Sequence, residues 1–128
     1  MRVITIQEPW ASLIAANIKT IETRSWPCYE YGDLYIHAGL SKIKPAEVRR
    51  REMQKLIPTA LHYGEIFIKT TLSECVLITE EYARQIEEGD PLCYSCGNFT
   101  PGRYAWVLSN IETIEPIKVR GKLGIWYY

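Results

Sequence analysis

The 128-residue sequence lacks the features that mark several classes of protein. It has no charge excess, because 15 Lys and Arg residues balance 15 Asp and Glu residues, and this argues against a dominant nonspecific nucleic-acid binder. Its longest apolar stretches are far shorter than a membrane span, and the polar opening MRVITIQEPW does not resemble a secretory signal peptide. We therefore expect no membrane association and a cytoplasmic location.

Motifs for phosphate cradling and for common hydrolytic chemistry are also missing. The sequence contains no GxxxxGK[ST], GxGxxG, HExxH or GxSxG string. Cys93 and Cys96 form a C-x-x-C pair, but a second pair at zinc-binding spacing is absent. Free thiols are therefore expected rather than a disulfide framework or a zinc site. We expect neither a bound metal nor a cofactor.

Aromatic residues, in contrast, are numerous, with nine tyrosines and four tryptophans. Such rings bury large areas in a core, and exposed rings also provide stacking surfaces. The length fits one domain over residues 1–128, which can bury a sizeable core without a metal or disulfide.

The charges are balanced overall but unevenly placed. Residues 41–55 carry six basic residues against two acids, whereas residues 80–90 carry five acids against one arginine. Lys118, Arg120 and Lys122 add positive charge near the C-terminus. The triplet of residues 49–51 is either a solvated helix face or an auxiliary phosphate track. We expect a bipolar surface that can steer an anion to one side.

The hydrophobic periodicity predicts more strand than helix. Pro9 suits a first helical position, Asn17 suits a left-handed helix stop, and Thr79 suits an N-cap. Strands are expected at 2–6, 20–26, 34–38, 65–78 (one bent strand or two), 103–109 and 117–128; helices at 9–16, between Pro45 and Pro58, and at 80–88, followed by a loop of about a dozen residues. This order predicts an α+β fold with a mixed, mostly antiparallel sheet curled toward a small barrel and helices packed outside.

One short excursion of the chain, EPWASLIAANIKTIETRSW at residues 8–26, interleaves charges with tryptophan. Glu22 and Arg24 are two residues apart on an extended segment, so they share one face beside Trp26. Lys19 follows the helix stop and Glu8 precedes the helix, so two cations and two carboxylates can meet in one cleft. The alternative is a set of surface ion pairs, each worth under about 1 kcal/mol.

The same stretch resembles the hallmark of the ASCH family (activating-signal-cointegrator homology), a branch of the PUA-like superfamily. The family pattern G-x-K-x-x-E-x-R, preceded by Q-P-W-A-S-L and followed by S-W, is similar to EPWASL at 8–13 and NIKTIETRSW at 17–26. YGDLYIHAG at 31–39, GRYAWVL at 102–108 and RGKLGIW at 120–126 also resemble the family. Asn17 replaces the family glycine, and Glu8 replaces the family glutamine. The resemblance implies a PUA-like β-barrel with a cleft beside this segment.

The resemblance also implies a function with RNA or nucleotides, because the family is proposed to bind RNA and some members resemble small hydrolases. The branch that deacylates N4-acylcytidine has a threonine where this sequence has Glu22, so that activity is not carried over. In a binding protein, single-stranded RNA or a nucleotide or nucleoside would be held by stacking and by charge. The candidate ligand-binding residues are Glu8, Trp10, Lys19, Glu22, Arg24, Trp26 and His37.

Two alternatives to a binding protein remain open at this point. In an enzyme (a ribonuclease or a nucleoside amidohydrolase), Lys19 and Glu22 would act as acid and base. A protein-interaction domain is a third possibility. Trp10 and Trp26 are alternatively core residues, and His37 is alternatively a structural histidine rather than a proton carrier in the cleft.

Overall fold

The computed structural model of the protein describes residues 1–42 and 51–128. The described residues form six strands and four helices. They are, in chain order, β1 (Arg2–Glu8), α1 (Trp10–Ala15), β2 (Ile21–Arg24), β3 (Gly32–Lys42), α2 (Arg51–Leu56), β4 (Glu65–Leu77), α3 (Glu80–Gly89), α4 (Pro91–Ser95), β5 (Tyr104–Lys118) and β6 (Ile125–Tyr127).

The strands form one sheet in the order β2-β5-β4-β3-β1-β6. The pairing of β1 with β3 is parallel, and the other neighbouring pairs are antiparallel. The sheet curls into a half-barrel, with α1 packed against its main core. The predicted α+β fold with a mixed, mostly antiparallel, curled sheet is therefore confirmed.

One side-chain contact spans the opening of the curled sheet. Three strands separate β2 from β1 in the sheet order. Nevertheless, Arg24 of β2 donates from Nη2 to the carbonyl oxygen of Thr5 in β1 at 3.0 Å. The curl has thus brought the two strands close enough for a single guanidinium to bridge them.

Hydrophobic clusters lie on both faces of β1, because alternate residues of a strand point to opposite sides. Ile4 belongs to the main core, together with Ile36, Phe67 and Trp106. Val3 instead packs with residues of β4 and β6 in a second cluster, whose buried members are Val3, Ile66 and Trp126. The C-terminal part of the chain therefore covers the face of the sheet that the main core leaves open.

Several local predictions are confirmed. Asn17 adopts a φ of 60°, as expected for the residue that stops α1. Thr79 caps α3 by accepting a hydrogen bond at Oγ1 from the backbone nitrogen of Tyr82 at 3.1 Å. Residues 65–77 form one strand, which accommodates its length through irregularities in its register with β5.

Other boundaries differ from the prediction. Pro9 precedes α1 as its N-cap instead of occupying its first position. The expected loop after α3 contains the helix α4, because Asp90 accepts a hydrogen bond from the nitrogen of Cys93 and Pro91 opens the first turn.

Strand β5 continues to Lys118, so only residues 125–127 of the predicted final strand form β6. Of the predicted second helix, residues 51–56 form α2, and residues 43–50 lie outside the described part of the chain.

The segment between β5 and β6 is pinned onto the sheet at two residues. Val119 donates from its nitrogen to the oxygen of Gly64 at 3.0 Å, and its own oxygen accepts from His37 Nε2 at 2.8 Å. Gly121 then passes so close to the sheet that an added Cβ would lie 2.8 Å from Thr5 Oγ1 and 2.7 Å from His37 Cε1. The absence of a side chain at residue 121 is therefore a packing requirement.

We predict that Gly121→Ala lowers the free energy of unfolding by about 1–3 kcal/mol, because an extra methyl in a filled site forces its neighbours to move. Urea denaturation measures the change. Gly89→Ala is the matched control, since a Cβ there meets no atom within 4 Å. Equal stability of the two variants would contradict this account of the segment.

Candidate functional site

A cleft of about 1320 Å³ lies between β2, α3, α4 and the loop that follows α4. Its walls combine aromatic rings, carboxylates, arginines and uncharged polar groups. The lining residues are Gln7, Trp10, Glu22, Thr23, Glu80, Ala83, Arg84, Glu87, residues 94–101 and Arg103. The K-x-x-E-x-R segment (residues 19–24) and the helices α3 and α4 therefore contribute to one site.

Behind this cleft, three charged side chains form a linked chain. Lys19 is only 1% exposed, and its Nζ lies 3.2 Å from Glu22 Oε1. Arg24 contacts the other oxygen, Glu22 Oε2, from Nη2 at 2.9 Å and from Nε at 3.1 Å. Each oxygen of the Glu22 carboxylate thus faces its own cation. The sequence-based prediction that Glu22 and Arg24 share a face agrees with this geometry.

Lys19 reaches its buried position because of how α1 ends. The backbone nitrogens of Ile18 and Lys19 both donate to the oxygen of Leu13, which folds the chain back after the left-handed Asn17. Lys19 Nζ then donates to the oxygens of Ile21 at 2.9 Å and Cys96 at 2.8 Å. Its ammonium therefore fastens β2 to the residue that ends α4.

Glu8 has a different structural environment. It is fully buried, with 0% exposure, and it is not among the cleft-lining residues. Its Oε1 accepts from the nitrogen of Ser12 at 2.7 Å, and its Oε2 accepts from Ser12 Oγ at 2.6 Å and from the nitrogen of His62 at 2.9 Å. Glu8 therefore holds the start of α1 and the chain at residue 62 together.

We predict that Glu8→Gln destabilises the protein, although glutamine is the residue that the related family pattern has at this position. In either orientation of the amide, its NH₂ group faces a backbone N–H, of Ser12 or of His62. A buried donor without an acceptor costs about 1–3 kcal/mol.

Urea denaturation of Glu8→Gln measures this loss. Glu30→Gln makes the same chemical change on a side chain that is 76% exposed, and we expect its effect to stay within about 0.5 kcal/mol. An unchanged midpoint for Glu8→Gln would show that the carboxylate is not needed there.

The remaining predicted site residues divide between the cleft and the core. Trp10 lines the cleft and also packs against two hydrophobic clusters. Trp26 is half-buried and does not line the cleft. Its ring packs edge-to-face against that of Trp106, with 4.8 Å between the ring centroids. His37 is 1% exposed and lies under the segment at Val119. The structure therefore brings Trp10 and Glu22 to the cleft, with Lys19 and Arg24 directly behind Glu22.

Sequence reasoning missed the wall formed by α3, α4 and the following loop. On α3 the lining residues follow the spacing of one helix face, with Glu80, Ala83, Arg84 and Glu87 at i, i+3, i+4 and i+7. That periodic arrangement of charged residues was the signal in the sequence that could have indicated a functional face on α3. Tyr94 and Phe99 stack at 5.2 Å on the same wall, within the segment that was expected to be a plain loop.

The C-x-x-C pair packs within the protein. Both thiols are free and buried, and Cys96 Sγ donates to the oxygen of Leu92 at 3.2 Å. Burial raises the pKa of the Cys96 thiol to about 11, although the nearby Lys19 ammonium acts in the opposite direction. A thiol with such a pKa is a poor nucleophile at neutral pH. Among the described residues, no group of His, Cys, Asp and Glu is arranged to hold a metal ion.

The curled α+β half-barrel is consistent with a PUA-like barrel, the fold class that the sequence predicted. Residues 4–118 match the ASCH domain, and the chain belongs to the ASCH domain family. It is similar to human activating signal cointegrator 1, with 42% identity over 45 residues. That match covers 35% of this chain and 8% of the human protein, so the chain spans a small part of that relative.

Within the described ranges, no helix has the length and apolar character needed to cross a membrane.

Proposed function

We propose that the protein binds single-stranded RNA, or a nucleotide within it, in the cleft between β2, α3 and α4. The observation that carries the proposal is the Glu22 carboxylate, which two cations hold in a fixed orientation at the cleft wall. A fixed acceptor of this kind suits the exocyclic amine on the edge of an unpaired base. Single-stranded RNA presents the Watson–Crick edges of its bases in this way, whereas in double-stranded RNA those edges are paired.

The aromatic side chains of the cleft supply the second part of base recognition. Trp10 and Tyr94 are half-buried and line the cleft. Tyr94 is supported from behind by its stack on Phe99. Rings held in this way provide stacking surfaces for bases, and stacking tolerates differences between bases.

The charges of the cleft favour a base over a run of phosphates. Three carboxylates, those of Glu22, Glu80 and Glu87, line it beside the arginines Arg84 and Arg103. Arg103 already donates to the oxygens of Asn98 and Thr23, which leaves the exposed Arg84 as the arginine best placed to meet a phosphate. The cleft thus fits one or a few nucleotides. The zero net charge of the chain agrees with a small number of phosphate contacts.

The hydrolase alternative assigns acid–base roles to Lys19 and Glu22. A catalytic group must come within hydrogen-bonding reach of the substrate. Lys19 is 1% exposed, and three oxygen atoms surround its ammonium, so a substrate would have to displace those partners. The geometry therefore favours binding over turnover.

A cytoplasmic location belongs to the same proposal. RNA is abundant there, and the compartment keeps thiols reduced, which suits a chain whose four cysteines are free. Single-stranded RNA or a free nucleotide is then the partner that this proposal assigns to the cleft.

We predict that Tyr94→Ala weakens binding of a short single-stranded RNA, because one stacked base contributes about 1–3 kcal/mol. This corresponds to a rise in Kd of about fivefold or more. Fluorescence anisotropy with a labelled oligonucleotide measures it, and circular dichroism checks that the variant is folded.

Tyr29→Ala is the control, because Tyr29 is 62% exposed and lies outside the cleft lining. Equal Kd values for the two variants would exclude Tyr94 as a stacking surface. Cleavage of the RNA in a denaturing gel of the same wild-type samples would favour the hydrolase alternative.

A further inference from the structure

We propose that Arg120 and Lys122, assisted by Lys118, form a phosphate-binding strip beside the cleft that carries the backbone of the bound RNA strand. The inference rests on the proposed function, and it adds a second contact surface that recognises phosphate and not base. These three cations were noted in the sequence, and the cleft does not include them.

The strip is built by alternation along the pinned segment between β5 and β6. Val119 and Gly121 are half-buried and face the sheet through the contacts with Gly64, His37 and Thr5 described above. Lys118, Arg120 and Lys122 are exposed. Alternate residues pointing to opposite sides are the behaviour of an extended chain. The anchored residues therefore fix the backbone and leave the cations facing outward.

The outward cations are free to bind an anion. Within residues 1–42 and 51–128, neither Arg120 nor Lys122 makes a side-chain hydrogen bond or ion pair, and the same is true of Lys118. Lys118 lies opposite Glu65 in the β4–β5 pairing, although that carboxylate contacts His62 at 3.2 Å. The proposal therefore depends mainly on Arg120 and Lys122, which have no acidic partner among the residues that the structure describes.

A short path of contacts links the strip to the cleft. Gly121 lies against the side chain of Thr5, whose carbonyl oxygen accepts the 3.0 Å hydrogen bond from Arg24. Arg24 in turn holds Glu22 at the cleft wall. Gln7, which lies two residues beyond Thr5 on the same face of β1, also lines the cleft. A strand that places a base near Glu22 would therefore pass the strip at the Gln7 side of the cleft.

The spacing of the cations also suits a nucleic-acid backbone. Two residues of extended chain separate neighbouring cations by about 6.5 Å. This separation is comparable with that of successive phosphates along a single strand. Each cation can then meet its own phosphate, and each such contact adds a salt-dependent increment to the affinity.

The test is a titration of labelled single-stranded RNA with wild type, Arg120→Gln/Lys122→Gln, Tyr94→Ala and Lys69→Gln at several salt concentrations. Lys69→Gln is the charge control, because its side chain is partly exposed and its ammonium lies 3.9 Å from Asp33. Lys69 belongs to β4 and not to the segment between β5 and β6. The slope of log K against log salt is negative, and each lost phosphate contact on a single strand lowers its steepness by about 0.7.

We expect the double variant to bind more weakly at low salt and to lose about 1.4 from this slope. Between about 50 and 200 mM salt, the wild-type affinity should therefore fall about sevenfold more than that of the double variant. Lys69→Gln should keep the wild-type slope, and affinity for a free nucleoside should be the same in the double variant as in wild type.

The outcomes separate this inference from the proposed function. An unchanged slope in the double variant, with weaker binding by Tyr94→Ala, would overturn the strip and leave the cleft standing. A reduced slope with normal binding by Tyr94→Ala would support the strip and count against the cleft. A loss of about 0.7 from the slope in Lys69→Gln, which is the same loss per removed charge, would show a general charge effect and overturn the strip. Failure of wild type to bind RNA would overturn both.

Discussion

The ammonium of Lys19, at 1% exposure, is held inside the protein by a carboxylate and two carbonyl oxygens. Burying an unpaired charge is strongly unfavourable, so these partners are a condition for the local fold. The same carboxylate, that of Glu22, also binds Arg24, which reaches across the opening of the sheet to Thr5. The cleft wall, the end of α4 and the edge of the half-barrel therefore depend on one ion-pair chain.

This arrangement separates the residues that hold the cleft from those that can touch a ligand. Lys19 and Arg24 stand behind Glu22, while Tyr94, Arg84 and Gln7 present groups to the cleft. A loss of binding after substitution of Lys19 would mix a folding defect with a ligand contact. Substitutions on the α3–α4 wall separate the two effects, because those side chains lie outside the ion-pair chain.

The sequence predicted the fold class and the features that depend on neighbouring residues. Asn17, Thr79 and the shared face of Glu22 and Arg24 are examples, since turn chemistry, capping and strand alternation are local rules. The sequence patterns did not predict contacts between residues that are far apart in the chain. The Cys96 oxygen that receives Lys19 is 77 positions away in the chain, and no periodicity encodes that approach. Glu8, which was expected at the cleft, instead accepts a hydrogen bond from the nitrogen of His62, 54 positions away, and periodicity does not encode that contact either.

The most direct test of the central claim is a double-mutant cycle with Lys19→Met, Glu22→Gln and the combined variant, followed by urea denaturation. The account predicts that each single change destabilises the protein by about 3–5 kcal/mol, because each takes one charged partner from a buried charge. Lys19 loses its carboxylate in Glu22→Gln. In Lys19→Met, Glu22 keeps only Arg24, and the oxygens of Ile21 and Cys96 lose their donor. The combined variant should be less destabilised than the sum, by about 0.5–3 kcal/mol. Effects that add to within about 0.5 kcal/mol would contradict the claim that this ion-pair chain organises the cleft.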